Sequence, residues 1–199
     1  MYVLSCIVRI TYMWNSVIGS VNTMLKTIYT TEYTGSSAQR NVSSIAFAGT
    51  VVGQLAFGYL SDHWSRSNAL LLSTVILIVF AALGAGSYGG GTVNGIFAAL
   101  TAYRFLLGIG IGGEYPAGSV ACAEATGELK NGHRNRWFIF STNFAIDMGF
   151  VVSALVPMIV VLATGENHLR AAWRICLGLG VIPPLSLLWL RIKLKEPEE

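Results

Sequence analysis

Arg104, Glu114, Asn143 and Asp147 lie inside long apolar runs. A charge at membrane depth is costly, so it is kept where it faces protein or water and meets a partner. Such residues are candidates for binding or proton transfer. Arg104 opens the pattern Arg104-x-x-x-Gly108-x-Gly110-x-Gly112-Gly113. Glycines at that spacing let a neighbouring helix, or a ligand, approach the backbone. Further along the same run comes Glu114-Tyr115-Pro116. On an ideal helix Arg104 and Glu114 are about 15 Å apart, so neither is the other's sole partner. A carboxyl group in low-dielectric surroundings keeps its proton more readily, which suits a proton carrier. The other reading of Glu114 is an interfacial acid near the end of its run. Pro116 frees a carbonyl one turn earlier and predicts a kink. Asn143 and Asp147, one helical turn apart, share a helix face, which is read as a cavity face. Asn15 and Asn22 in the first run likewise predict a helix facing a polar cavity.

Enzyme chemistry finds no support. GxSxG, HExxH, a Walker loop and the Rossmann glycine fingerprint are all absent from the sequence. His63, His133 and His168 fall in expected loops on opposite sides, so they form no metal site. Glu114 and Asp147 remain as an acid pair with nothing else to support hydrolysis. Cys6, Cys122 and Cys176 have neither CxxC nor metal-ligand spacing and are read as packing residues. No cofactor and no metal are implied.

A second set of charges falls between apolar runs. Gly58-Tyr59-Leu60-Ser61-Asp62-His63-Trp64-Ser65-Arg66 joins the second and third runs. Gly58 is expected to allow close helix approach. Asp62 and Arg66 are placed to cap and pin helix ends, or else form a solvated loop with a chance ion pair. Glu124, Arg134 and Arg136 are read with Arg66 as a cytoplasmic ion-pair network.

The elements that must position these residues follow from composition. Of 199 residues, 53% are hydrophobic and 12% charged, with a mean hydropathy of +0.58. That excludes disorder and argues against an ordinary soluble globule. A net charge of +3, without basic residues interleaved with aromatics, gives no nucleic-acid surface. Apolar runs cover Ile10–Tyr29, Ser43–Leu60, Ala69–Tyr88, Thr92–Val120, Trp137–Leu162 and Ala171–Leu190. Each is long enough to span a bilayer, and none alternates as a barrel strand does. The first run lacks the small-residue cleavage site of a secretory signal. The fold predicted is an all-α membrane protein with six transmembrane helices, occupying 1–199 as a single bundle.

Loop charges orient it. With both termini cytoplasmic, the inner segments hold Arg66, Lys130, Arg134, Arg136, Arg191, Lys193 and Lys195. The outer side holds Arg40, Arg170 and Lys26. That bias follows the positive-inside rule. The Gly-rich segment 87–95 (SYGGGTVNG) is expected to be a tight outer hairpin. The sequon Asn41-Val42-Ser43 falls outside but against the second run.

These residues resemble a known family. GYLSDHWSR resembles the loop signature G-x-L-x-D-[RK]-x-G-[RK]-[RK] of the major facilitator superfamily. Arg104 with its glycine run resembles that superfamily's fourth-helix motif. Arg66, Glu124, Arg134 and Lys195-Glu196-Pro197-Glu198 resemble its cytoplasmic charge cluster. More narrowly, NSVIGSVNTMLKTIY and YRFLLGIGIGGEYPAGSVACAEATGE are similar to fungal glycerophosphodiester (glycerophosphoinositol) transporters. Those are relatives of phosphate:proton symporters with a fourth-helix G-x-G-G-[DE]-Y-P. The resemblance implies half of a twelve-helix fold, made of two inverted three-helix repeats. It implies proton symport of a small anionic substrate, with Glu114 and Tyr115 at the substrate and proton site and a polar fifth-helix residue near Thr142 or Asn143. His63, Ser65 and Ser67 replace the family's basic, Gly and basic residues, and no acid stands near Thr11 where the family's first-helix acid would be. Met1–Ile10 does not resemble the family, which suggests a truncated or altered N-terminus.

The expectation is therefore the first half of a transporter in the plasma membrane. Its partners would be the lipid bilayer, an anionic solute, protons, and a second six-helix half or a second copy of itself. The alternative is a non-transporting fragment, or a membrane partner of a full-length transporter.

Overall fold

The computed structural model describes residues 16–34, 36–63, 66–127, 134–165 and 168–193. Side chains at 31, 66, 67, 117–143, 145, 146 and 193 lie outside that description. The helices are α1 (Val17–Ile28), α2 (Thr30–Tyr33), α3 (Ser37–His63), α4 (Arg66–Ala85), α5 (Val93–Gly127), α6 (Arg134–Thr164), α7 (Leu169–Leu179) and α8 (Ile182–Lys193). Among the described residues there is no strand. Five stretches are long and apolar enough to cross a membrane: Ser37–His63, Asn68–Ala85, Val93–Pro116, Asp147–Thr164 and Leu169–Ile192. Only 22–39% of each is buried within the protein. Water does not tolerate that much uncovered apolar helix, whereas lipid does. The expected first span, Ile10–Tyr29, is described only from residue 16, where it is helical as α1.

The centre of the bundle is α5, packed most extensively on α3 and then on α4. Lack of side chains allows this. A Cβ on Gly49 would come within 2.2 Å of the Phe105 carbonyl oxygen, and one on Gly53 within 2.2 Å of that of Ile109. Reciprocally, Gly108 would meet the Ala46 carbonyl oxygen at 2.3 Å and Gly112 that of Thr50 at 2.2 Å. Two G-x-x-x-G faces therefore lock together. Gly58 is corrected on this point: a Cβ there meets nothing within 4 Å. The close approach belongs to Gly49 and Gly53, further up the same helix.

The main apolar core gathers Val17, Val21 and Leu25 of α1, Tyr33 of α2, Phe97 and Leu100 of α5, and Trp173 and Cys176 of α7. Tyr29 and Tyr33 both pack on the Phe97 ring. The buried Cys176 is a packing residue, as expected. The 87–95 segment turns through Gly90 and Gly91 at φ +60° and +85°, where a Cβ would be strained.

Three boundaries differ from the apolar runs. Helix α3 continues through His63, so Asp62 lies in its last turn rather than in a loop, and is exposed. Helix α5 runs through Pro116 and on to Gly127, past the end of its run at Val120. The sixth run is two helices. Pro183 and Pro184 have no N–H, so the Leu179 and Gly180 carbonyls lose their i+4 donors. The chain tightens there through Gly180 N–H to Leu177 O (3.1 Å) and Val181 N–H to Gly178 O (3.0 Å).

Candidate functional site

Glu114 is fully buried, between α4, α5 and α8. Helix α5 can present it there because Gly113 beside it leaves room only for Phe57 of α3 and Ser73 of α4. The Ser73 and Thr74 hydroxyls each lie 2.7 Å from Oε1. Each is also within reach of the Leu70 carbonyl, at 2.9 and 2.8 Å, so its one proton is shared between two acceptors. Arg191 of α8 closes the site with a two-pronged contact, Nη1 to Oε1 at 2.7 Å and Nη2 to Oε2 at 2.5 Å. Nη1 further donates to Leu70 O at 2.9 Å and to Thr74 Oγ1. The side chains of the pair are 10% and 1% exposed. Parallel guanidinium–carboxylate bonds of this kind are the strong, directional ones.

This corrects the place of Arg191. Sequence patterning groups it with the inner loop charges, because the apolar run stops at Leu190. The helix continues one turn further and brings its guanidinium back under α5. The acid-pair reading fails as well. Glu114 is spoken for by Arg191, Ser73 and Thr74, while Asp147 of α6 is exposed.

Arg104 is buried at 4% exposure. It lines a cavity of ≈ 40 Å³ with Leu77 and Phe80 of α4, Leu107 of α5, and Gly180 and Pro184 at the break in the sixth run. That is room for water-sized molecules rather than for an organic anion. Tyr33 lies within its electrostatic reach. From Tyr33 a directed chain runs outward. Its hydroxyl donates to Asn22 Oδ1 (2.6 Å), Asn22 Nδ2 donates to Ser43 Oγ (2.7 Å), and Ser43 donates to Gln39 O (2.8 Å). Asn22, read as a cavity-facing residue, thus has both ends of its amide engaged across α1, α2 and α3.

Tyr115, next to the buried Glu114, is 40% exposed. The side chains of Asn143, Arg66, Glu124 and Arg134 lie outside the described residues. Sequence reasoning missed Ser73, Thr74, Tyr33 and Ser43, hydroxyls that read as ordinary helix residues. It also passed over Arg174 in the sixth run, which donates to Ser87 O at 3.3 Å and sits 5.3 Å from the Trp173 ring centre.

A family model described as "Sugar (and other) transporter" matches residues 2–197. A glycerophosphocholine permease, GIT4, of Candida albicans is 50% identical over 180 residues, covering 90% of this chain and 34% of the permease. The major glycerophosphoinositol permease GIT3 of the same organism is 51% identical over 182 residues, 92% and 34% of the two chains. A probable inorganic phosphate transporter 1-4 of Oryza sativa subsp. japonica is 33% identical over 172 residues, 78% and 31%. The present chain therefore spans about a third of the length of these curated relatives. Among solved structures, the proton:xylose symporter XylE bound to 6-bromo-6-deoxy-D-glucose superimposes with a TM-score of 0.81 at 21% identity, covering 98% of this chain and 44% of that one. A partially occluded inward-open XylE from E. coli gives 0.82 at 20% identity, 98% and 49%.

Proposed function

The chain is a multi-pass membrane protein of the sugar (and other) transporter family, within the major facilitator superfamily, and from that premise we propose that it forms one half of a proton-coupled anion transporter. In this reading it supplies six spans in two inverted three-helix repeats, with both termini cytoplasmic in the plasma membrane. The substrate is a glycerophosphodiester, phosphate or a related organic anion. The relatives' names share one chemistry, a phosphate or phosphodiester group.

The observation that carries the proposal is Glu114, a carboxyl group buried inside a candidate span with a full set of hydrogen-bond partners. A buried acid is expensive to keep and is a functional candidate for that reason. In the proposed mechanism Glu114 carries the proton. Arg104 orients the polar network of the interior. Tyr115 and Asn143 hydrogen-bond the substrate, and Asp147 and Asn22 extend the polar face. Gly58, Asp62, Arg66, Glu124 and Arg134 belong to the cytoplasmic gating cluster.

The test is uptake of radiolabelled glycerophosphocholine or phosphate by cells expressing the intact transporter that carries this segment, across pH 5 to 8. Glu114→Gln is expected to abolish the dependence of uptake on pH. Normal uptake by that variant at every pH would overturn the proton-carrier role.

A further inference from the structure

The break in the sixth run separates two helices that are anchored differently. Trp173 and Cys176 of α7 are held in the main core with α1 and α5. Both α7 and α8 pack on α4, but α8 supplies no described residue to that main core; its Leu187 is fully buried, and it reaches α5 through the Arg191 side chain. Two consecutive rungs of the helical ladder are missing between them, at the Leu179 and Gly180 carbonyls. The ≈ 40 Å³ cavity lies beside that joint, lined by Leu177, Gly180 and Pro184.

We propose that residues 182–193 are a jointed arm, hinged at Gly180–Val181 and latched to the bundle by Arg191 on Glu114, so that Arg191 positions the Glu114 carboxylate and controls its exposure. The inference rests on the reading of Glu114 as the group that gains and loses a proton. The latch needs charge on both sides. When Glu114 takes a proton from the aqueous phase, the guanidinium loses its described counter-charge and is left among neutral acceptors, Leu70 O and Thr74 Oγ1 with them, in a site too buried for an unpaired cation. The arm then swings about its joint, Arg191 reaches water or headgroups, and Glu114 is uncovered. Among the described side chains, few groups face Glu114. Helix α4 offers the Ser73 and Thr74 hydroxyls and α8 the Arg191 guanidinium. Arg104 stands on α5 itself, about 15 Å away by helix geometry. Asp62 and His63 of α3 and Asp147 of α6 are exposed.

The test is amide hydrogen exchange on the 199-residue chain in phosphatidylcholine nanodiscs, comparing residues 182–193 with 169–179. Glu114→Gln and Arg191→Gln are each expected to speed exchange in 182–193 by about tenfold or more and to leave 169–179 unchanged. The double variant should add little to either single one, because both break the same latch. Arg191→Lys, which keeps the charge and loses the two-pronged geometry, should give an intermediate rate and stands in if the neutral variants do not fold. Equal acceleration in both segments, or none in either, overturns the latch. Acidifying the wild-type chain, with intrinsic exchange corrected for pH, separates the two ideas. Opening of 182–193 on acidification supports both. Opening in the variants alone supports the latch and overturns the proton reading of Glu114.

Discussion

At the scale of single residues, the Glu114–Arg191 contact decides more than any other. Removing one partner of a buried pair leaves the other charge unpaired, and costs more than the pair contributes as a whole. Arg191→Met is therefore expected to lower stability by about 3–5 kcal/mol, measured by chemical denaturation in detergent. Combining it with Glu114→Gln should recover part of that loss, since no buried charge then remains. A loss below about 1 kcal/mol for Arg191→Met, the range of an exposed pair, would mean that the contact does not persist in solution. Half of this site was legible in advance. An acid in an apolar run stands out, and Glu114 was found that way. Arg191 was not, because it follows the last apolar residue of its run and its side chain folds back one turn. Ser73 and Thr74 were invisible for another reason. A serine or threonine in a helix ordinarily bonds the carbonyl a turn earlier, and both do so here, to Leu70. Their second partner comes from a different helix, which no local pattern reveals.

At the scale of elements, the contact between α3 and α5 is set by four glycines, Gly49 and Gly53 facing Gly108 and Gly112. A methyl group at Gly53 would stand 2.2 Å from a main-chain oxygen, and main chain cannot rotate aside as a side chain can. Gly53→Ala is expected to force α3 and α5 apart and to cost at least about 1–3 kcal/mol, the range of overpacking. Gly58→Ala, on the same helix with open space around its Cβ, should be neutral or slightly stabilising, since alanine favours helix over glycine by about 1 kcal/mol. Thermal unfolding of the two variants side by side checks this, and equal effects would sink the packing account. The stripe at 108–113 was readable from its spacing. Close helix approach on α3 is expected of Gly58 in the loop segment, whereas Gly49 and Gly53, which make it, lie in an unremarked apolar run. Which face of a helix turns inward depends on its neighbours, and here α5 chose the face. The joint at 180–181 did have a local signal, Gly180-Val181-Ile182-Pro183-Pro184, which the continuous apolar character of the run concealed.

At the scale of the whole molecule, most of the surface of each candidate span is uncovered by protein. Part of it is what lipid would cover, such as Phe47 and Leu55 of α3 and Leu162 of α6. Part is not. Asp147 stands exposed at the edge of a candidate span, and Tyr115 is 40% exposed near the end of another, Val93–Pro116. A carboxylate at the centre of a bilayer costs about 2.5–3.5 kcal/mol or more, and the proposed second half would spare this face part of such a cost. The all-helical, membrane-spanning character was legible from composition and the long apolar runs, which leave few other architectures. The uncovered polar groups that would meet the proposed second half show only once the helices are packed. The chain reconstituted alone in liposomes with an inward proton gradient is accordingly expected to take up glycerophosphocholine no faster than protein-free vesicles. Adding the remaining helices of a related permease as a separate chain should restore uptake. Uptake by the single chain, together with a crosslinked dimer, would instead mean that two copies wall the cavity.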